Sequence, residues 1–299
     1  SNEYSNICDY LNWVISLPWN KYTDKPLLIS QARIAFDETH YGLQNVKDEI
    51  LEYLAIQEHI GSSVNSILCF SGEPGTGKTS IANQIGIITG RPMIRIPCGG
   101  ISDEADLRGF RRTYSNSAPG RIIAGLKEVK TSSPLFLLDE IDKISSHRSD
   151  PAAALLEILD PNQNKWFTDR YMSIPFDLSH AMFICTANNI NAIPSALKDR
   201  MDIIEFPNYT LDEKEVILTK YIIPNSLKEY KLETDFHSFN EETLKELLKI
   251  SQLRQIEKQV KKILRHQFLK NIENRISEFD INIIRKNNEQ LKRQSIGFN

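Results

Sequence analysis

The feature that most constrains the fold is the octapeptide Gly72-Glu73-Pro74-Gly75-Thr76-Gly77-Lys78-Thr79. It lies between an apolar run, Ile67–Ser71, and a helical stretch, Ser80–Thr89. Gly-x4-Gly-Lys-Thr is the spacing of a phosphate-binding loop. Its glycines let backbone N–H groups curl around phosphate oxygens, and the helix start behind it adds partial positive charge. Lys78 would reach the β- and γ-phosphates, and Thr79 would hold Mg²⁺. The competing reading is a glycine-rich turn without a ligand. At ordinary glycine usage such a match arises by chance in about one chain in a hundred of this length.

The rest of the chain supplies the sheet that such a loop needs. Short apolar runs recur at Met93–Pro97, Leu135–Leu138, Met182–Thr186 and Ile203–Phe206, mostly separated by helical stretches. Runs without alternation suit strands buried on both faces, as in a parallel sheet covered by helices. Helices are expected at Tyr10–Leu17, ending at Pro18, and at about Asn45–Ile60. After Pro207-Asn208-Tyr209 the pattern is helical: Leu211–Tyr221, Glu241–Ile250 and Arg254 to about Phe279, with a short strand expected at Ile281–Ile284. The tail from Arg285 reads as a linker. The expected organisation is an N-terminal helical linker over 1–40, an α/β domain over 41–208 and a small helical lid over 209–299.

Composition sets limits on partners. Of the 299 residues 40% are hydrophobic and 25% charged, values of a soluble globular protein. A net charge of −3 gives no electrostatic argument for nucleic acid or membrane. No apolar stretch reaches the roughly 20 residues of a membrane span, and no signal peptide is visible. The four cysteines form no Cys-x-x-Cys pair; Cys69 and Cys185 read as buried hydrophobes. Ser1-Asn2 reads as a tag remnant.

Leu135-Phe136-Leu137-Leu138-Asp139-Glu140 is the second half of the site. A buried strand ending in two carboxylates puts them at the carboxyl edge of the sheet, where ligands bind in such folds. Asp139 would hold the Mg²⁺ shell and Glu140 would polarise an attacking water as general base. The alternative is a strand whose Asp caps the next helix.

The adjacent Asp139-Glu140 resembles the AAA+ ATPases. Five longer strings resemble the ATPase module of Lon proteases: His40-Tyr41-Gly42-Leu43, Arg108-Gly109-Phe110-Arg111-Arg112-Thr113-Tyr114, Leu135 through Lys143, Leu155 through Asn164, and Leu197-Lys198-Asp199-Arg200-Met201. The resemblance implies a homohexameric ring that hydrolyses ATP and pulls unfolded or damaged polypeptides through a pore. It implies a Ser-Lys peptidase domain following the lid, which this chain does not include, so no peptide cleavage is expected from this chain alone. Position by position it implies that Asn188 senses the γ-phosphate, that Arg200 is an arginine finger acting on a neighbour, and that Arg254 is the lid arginine. Tyr41 and Gly42 would lie near adenine, and Tyr114 would grip substrate in the pore. The bland alternatives are a loop-capping Asn188, an ion pair of Arg200 with Asp199 or Asp202, a solvated basic face at Arg254, a plain turn at Tyr41-Gly42 and a packed aromatic at Tyr114. The family occurs in bacterial cytoplasm and in mitochondria, and the strings favour the bacterial cytoplasm.

Departures from the family pattern are Glu73 and Thr76 in the loop, Ser115-Asn116 after Tyr114, Phe110 for a histidine, one residue fewer in Ser145–Asp150 and an incomplete approach to Arg254. A second reading, an ATP-dependent switch remodelling nucleic-acid complexes, would use Arg108, Arg111, Arg112 and Arg121, with weak DNA binding as its sign.

Overall fold

The computed structural model describes residues 2–23, 28–60, 67–114, 117–144, 150–232 and 239–272. Ser115-Asn116, most of Ser145–Asp150, the strand expected at Ile281–Ile284 and the tail from Arg285 lie outside the described residues.

Contacts divide the chain into two units. The first holds the residues up to Glu73 and Gly77–Phe206. Its elements are α1 (Asn2–Ser16), α2 (Ile29–Thr39), α3 (Gln44–Ile60), β1 (Ile67–Ser71), α4 (Lys78–Thr89), β2 (Met93–Pro97), α5 (Ala105–Arg108), α6 (Arg121–Val129), β3 (Leu135–Asp139), α7 (Pro151–Leu159), β4 (Phe167–Thr168), β5 (Pro175–Phe176), β6 (Met182–Ala187), α8 (Ser195–Lys198) and β7 (Met201–Glu205). Five strands form a parallel sheet in the order β2-β3-β6-β1-β7, and β4-β5 is a small antiparallel pair. Every residue of β1, β3 and β6, the three inner strands, is buried. That is why their sequences run apolar instead of alternating. Cys69 and Cys185 are register partners inside this core.

Register decides where the polar residues emerge. Ser71 pairs with Ala187, Leu138 with Cys185 and Pro97 with Asp139. The loop after β1, the carboxylates after β3 and Asn188 after β6 therefore leave the sheet at one edge. Tyr10 and Trp13 of α1, and Leu17 just after it, pack on the rest of this unit, and the Tyr10 hydroxyl donates to the Met172 carbonyl at 3.0 Å.

The second unit comprises Pro74–Thr76 and the described residues from Pro207 onward. Its helices are α9 (Leu211–Ile217), α10 (Ile223–Glu229), α11 (Glu241–Leu248) and α12 (Leu253–Ile272), around a core of Leu218, Leu227, Leu247, Ile250, Ile256, Val260, Ile263 and Leu264. Thr210 and Glu213 form a reciprocal capping box that starts α9, and the Asn240 side chain caps α11. The single helix expected over Leu211–Tyr221 instead passes through a π-turn at Leu218–Ile222 into α10. Pro224 is the physical reason: it has no N–H to continue the α-helical ladder.

Candidate nucleotide-binding site

The loop after β1 takes its shape from glycine. Gly72, Gly75 and Gly77 have φ of 148°, 89° and 100°, where L side chains are strained. A Cβ on Gly72 would stand 2.6 Å from the Phe206 carbonyl oxygen, so the loop also needs glycine for space. Gly77 is the N-cap of α4, and Lys78 and Thr79 open that helix. Lys78 is buried. Its ammonium donates to the carbonyls of Gly72 (2.5 Å) and Glu73 (2.8 Å) and to Asn188 Oδ1 (3.1 Å). Burial lowers its pKa, while the charges of Asp142, Asp139, Glu140 and Glu73 oppose that. Phosphate oxygens would offer this ammonium stronger acceptors than loop carbonyls.

Asp139 is the last residue of β3, and its side chain is 8% exposed. Oδ1 accepts from the Thr186 hydroxyl at 2.5 Å. Oδ2 accepts from Arg95 Nε at 2.8 Å and from a second nitrogen of the same guanidinium. Glu140 follows in the left-handed region at φ 57° and ψ 51°, a conformation that costs a non-glycine residue roughly 1–2 kcal/mol. Its N–H donates to the Thr186 hydroxyl oxygen at 2.9 Å, and its carboxylate pairs with Lys143 at 2.7 Å. That pair is half exposed and adds little stability. The Asp142 carboxylate accepts the N–H groups of Asn188 and Asn189, both at 3.2 Å.

The structure thus brings Lys78, Asn188, Asp139 and Glu140 together at one sheet edge. Arg200 stands elsewhere in this unit, between α8 and β7. Nη1 donates to the Leu156 carbonyl at 2.8 Å and Nη2 lies 3.3 Å from Asp160. The alternative ion pairs with Asp199 or Asp202 are therefore corrected: the partner is Asp160, because the end of α7 packs beside α8. Tyr41 and Gly42 form the turn between α2 and α3, with the Tyr41 side chain exposed. Tyr114 is 63% exposed on a loop whose neck is closed by the bond from Phe110 N–H to the Ala118 carbonyl, 3.1 Å. The buried Asp169 carboxylate accepts from Gly120 N–H at 2.7 Å and fixes the base of that loop. Arg254 is exposed at the second position of α12, in the second unit. Within that unit Tyr209 donates to the Thr76 carbonyl at 3.2 Å, and a Cβ on Gly75 would lie 3.5 Å from the Arg254 backbone nitrogen.

Arg95, Asp142 and Thr186 went unrecognised as site residues in the sequence. A signal existed: Arg95 and Thr186 are polar residues inside otherwise apolar strands. The arginine cluster is largely engaged. Arg108, Arg111, Arg112 and Arg170 line a cavity of about 720 Å³. Within it Arg108 pairs with Glu157, Arg170 with Glu104, and the Arg112 guanidinium lies 3.9 Å from the Tyr10 ring centroid.

Residues 68–209 match the model of the ATPase family associated with various cellular activities (AAA). The chain is 47% identical over 270 residues to the Lon protease of Clostridioides difficile, covering 89% of this chain and 34% of that protein. Against the Lon protease of Chloroflexus aurantiacus it is 44% identical over 294 residues, 94% of this chain and 35% of the relative. Against that of Syntrophus aciditrophicus it is 52% identical over 225 residues, 75% and 28%. The chain is an AAA ATPase of the Lon protease family. It spans about a third of the length of the Lon proteases it matches. For this AAA ATPase the parallel sheet with its helices is the family's α/β domain. No helix among the described residues is long and apolar enough to cross a membrane.

Proposed function

We propose that this chain hydrolyses ATP and that the full-length protein uses the energy to unfold and translocate polypeptides toward a peptidase. The observation that carries the reading is the meeting of Lys78, Asn188, Asp139 and Glu140 at adjacent strand ends. Lys78 holds the β- and γ-phosphates, Asn188 reports the γ-phosphate, and Glu140 takes a proton from the attacking water. The donor set fits Mg²⁺. Among the described residues no group of three or more His, Cys, Asp or Glu side chains converges as a metal cage. Mg²⁺ instead takes one or two protein oxygens together with substrate phosphates, and the Thr79 hydroxyl and Asp139 carboxylate are hard oxygen donors of that kind. Bound there, the ion would neutralise charge on the phosphates. Arg200 is proposed as the finger offered to a neighbouring copy in a hexamer, Arg254 as the lid arginine, Tyr41-Gly42 as the adenine contact and Tyr114 as the substrate grip. The proposed location is the bacterial cytoplasm.

The nucleic-acid reading is the weaker one, because three of the four cavity arginines already hold an acidic or aromatic partner. The test is steady-state ATP hydrolysis with an unfolded protein or with duplex DNA added. Stimulation by unfolded protein is expected. Stimulation by DNA alone would overturn the polypeptide-motor reading.

A further inference from the structure

We infer that Thr186 is a positioning residue for hydrolysis, one hydroxyl that aligns both carboxylates of the site. The inference rests on the reading of Asp139 and Glu140 given above. Thr186 is 2% exposed on β6, the strand beside β3. Its O–H has one proton, and Asp139 Oδ1 at 2.5 Å, an acceptor only, takes it. A lone pair of the same oxygen then receives the Glu140 N–H at 2.9 Å. The two bonds are ordered by chemistry, since an ionised carboxylate cannot donate and an amide N–H cannot accept. They lock the plane of Asp139 against its second clamp, Arg95, and hold the Glu140 backbone in the left-handed region that turns its side chain away from the strand line. Two residues further along the same strand end is Asn188, bonded to Lys78. A shift of β6 against β3 would therefore disturb base, carboxylate and phosphate sensor together. Thr186 touches neither phosphate nor water in this scheme, so it acts through other residues.

The experiment compares Thr186→Val and Thr186→Ser in the whole chain. Val keeps the shape and removes both hydrogen bonds; Ser keeps the hydroxyl. For Val we expect kcat to fall about 30-fold, with nucleotide Kd changed by less than about threefold, as for a group that matters chiefly in the transition state. Ser should restore kcat to within about threefold of wild type. Amide hydrogen exchange at Glu140, read by NMR on protein without nucleotide, should accelerate at least about tenfold in Val and stay protected in Ser. Normal kcat in Val, equal loss in Val and Ser, or unchanged Glu140 exchange would each overturn the inference. If Val does not fold, Thr186→Cys supplies a weaker donor of similar size and should show the same changes in smaller measure. Glu140→Gln run in parallel separates the two levels. A Gln variant with normal turnover refutes the underlying assignment, whereas an inactive Gln variant beside a normal Val variant refutes only the role of Thr186.

Discussion

Gly72→Ala is the sharpest structural test of the phosphate loop. The new Cβ would sit 2.6 Å from the Phe206 carbonyl oxygen and 3.1 Å from Phe206 Cβ. Phe206 has little room to yield: its N–H donates to the Ser71 carbonyl at 2.7 Å, and its ring packs on Phe70 with centroids 5.1 Å apart. The backbone φ of 148° adds a second cost, because that region belongs to glycine. Strained φ costs roughly 1–3 kcal/mol, and forcing atoms into a packed site costs roughly 1–3 kcal/mol more. A combined loss of about 3 kcal/mol follows, or a folding equilibrium weakened by roughly two powers of ten. Relief would come by shifting the Gly72 carbonyl, which accepts from Lys78 at 2.5 Å. Nucleotide binding should therefore fall as well. The assay is the urea midpoint of unfolding together with nucleotide titration, with Gly100→Ala as control. A Cβ at Gly100 meets nothing within 4 Å, so that variant should stay within about 0.5 kcal/mol of wild type. A Gly72→Ala protein as stable and as tight-binding as Gly100→Ala would refute the reasoning.

Arg200→Ala should leave nucleotide binding intact and lower hydrolysis about a thousandfold, the usual scale for an arginine finger. If it acts on a neighbour, mixing Arg200→Ala with Glu140→Gln chains should restore turnover at the mixed interfaces. A mixture as inactive as its parents would contradict the assignment. His40 carries a pH prediction. Burial, and then the Lys47 charge, push its pKa down from 6.5 to about 4. The fold prefers the neutral ring, so its contribution is full above pH 6.5 and is lost as pH falls toward 4. At pH 5 the loss is about 2 kcal/mol. The Tm drop between pH 7.5 and pH 5 should be smaller in His40→Gln than in wild type; equal drops would exclude His40 as the cause.

The sheet was legible because buried parallel strands write themselves as unbroken apolar runs, and Leu135–Leu138 and Met182–Thr186 each fell within one residue of the observed strand. The last strand begins two residues before the run Ile203–Phe206, since Asp202 interrupts the apolar pattern while Met201-Asp202 still pairs with Ile67-Leu68. Helix α2 escaped because only Ala32 and Phe36 of its eleven residues are buried, too few to set a period. The loop after β1 and the Asp139-Glu140 pair at the end of β3 were legible as candidate site residues because their spacing and their place after apolar runs mark them. Arg95, Thr186 and Asp142 were not. Their roles arise from register between strands far apart in sequence, such as Arg95 meeting Asp139 across 44 positions. The same reason hid Asp160 as the partner of Arg200, 40 positions away, while sequence neighbours Asp199 and Asp202 looked better placed.

The central claim is that Glu140 is the base of an ATP-hydrolysing site whose binding half is independent of it. Glu140→Gln tests this most directly, with ATP affinity by equilibrium titration and turnover by phosphate release measured on the same preparation. Affinity within about threefold of wild type and hydrolysis reduced at least about a hundredfold is the predicted result. Unchanged hydrolysis, or lost binding, would contradict the account.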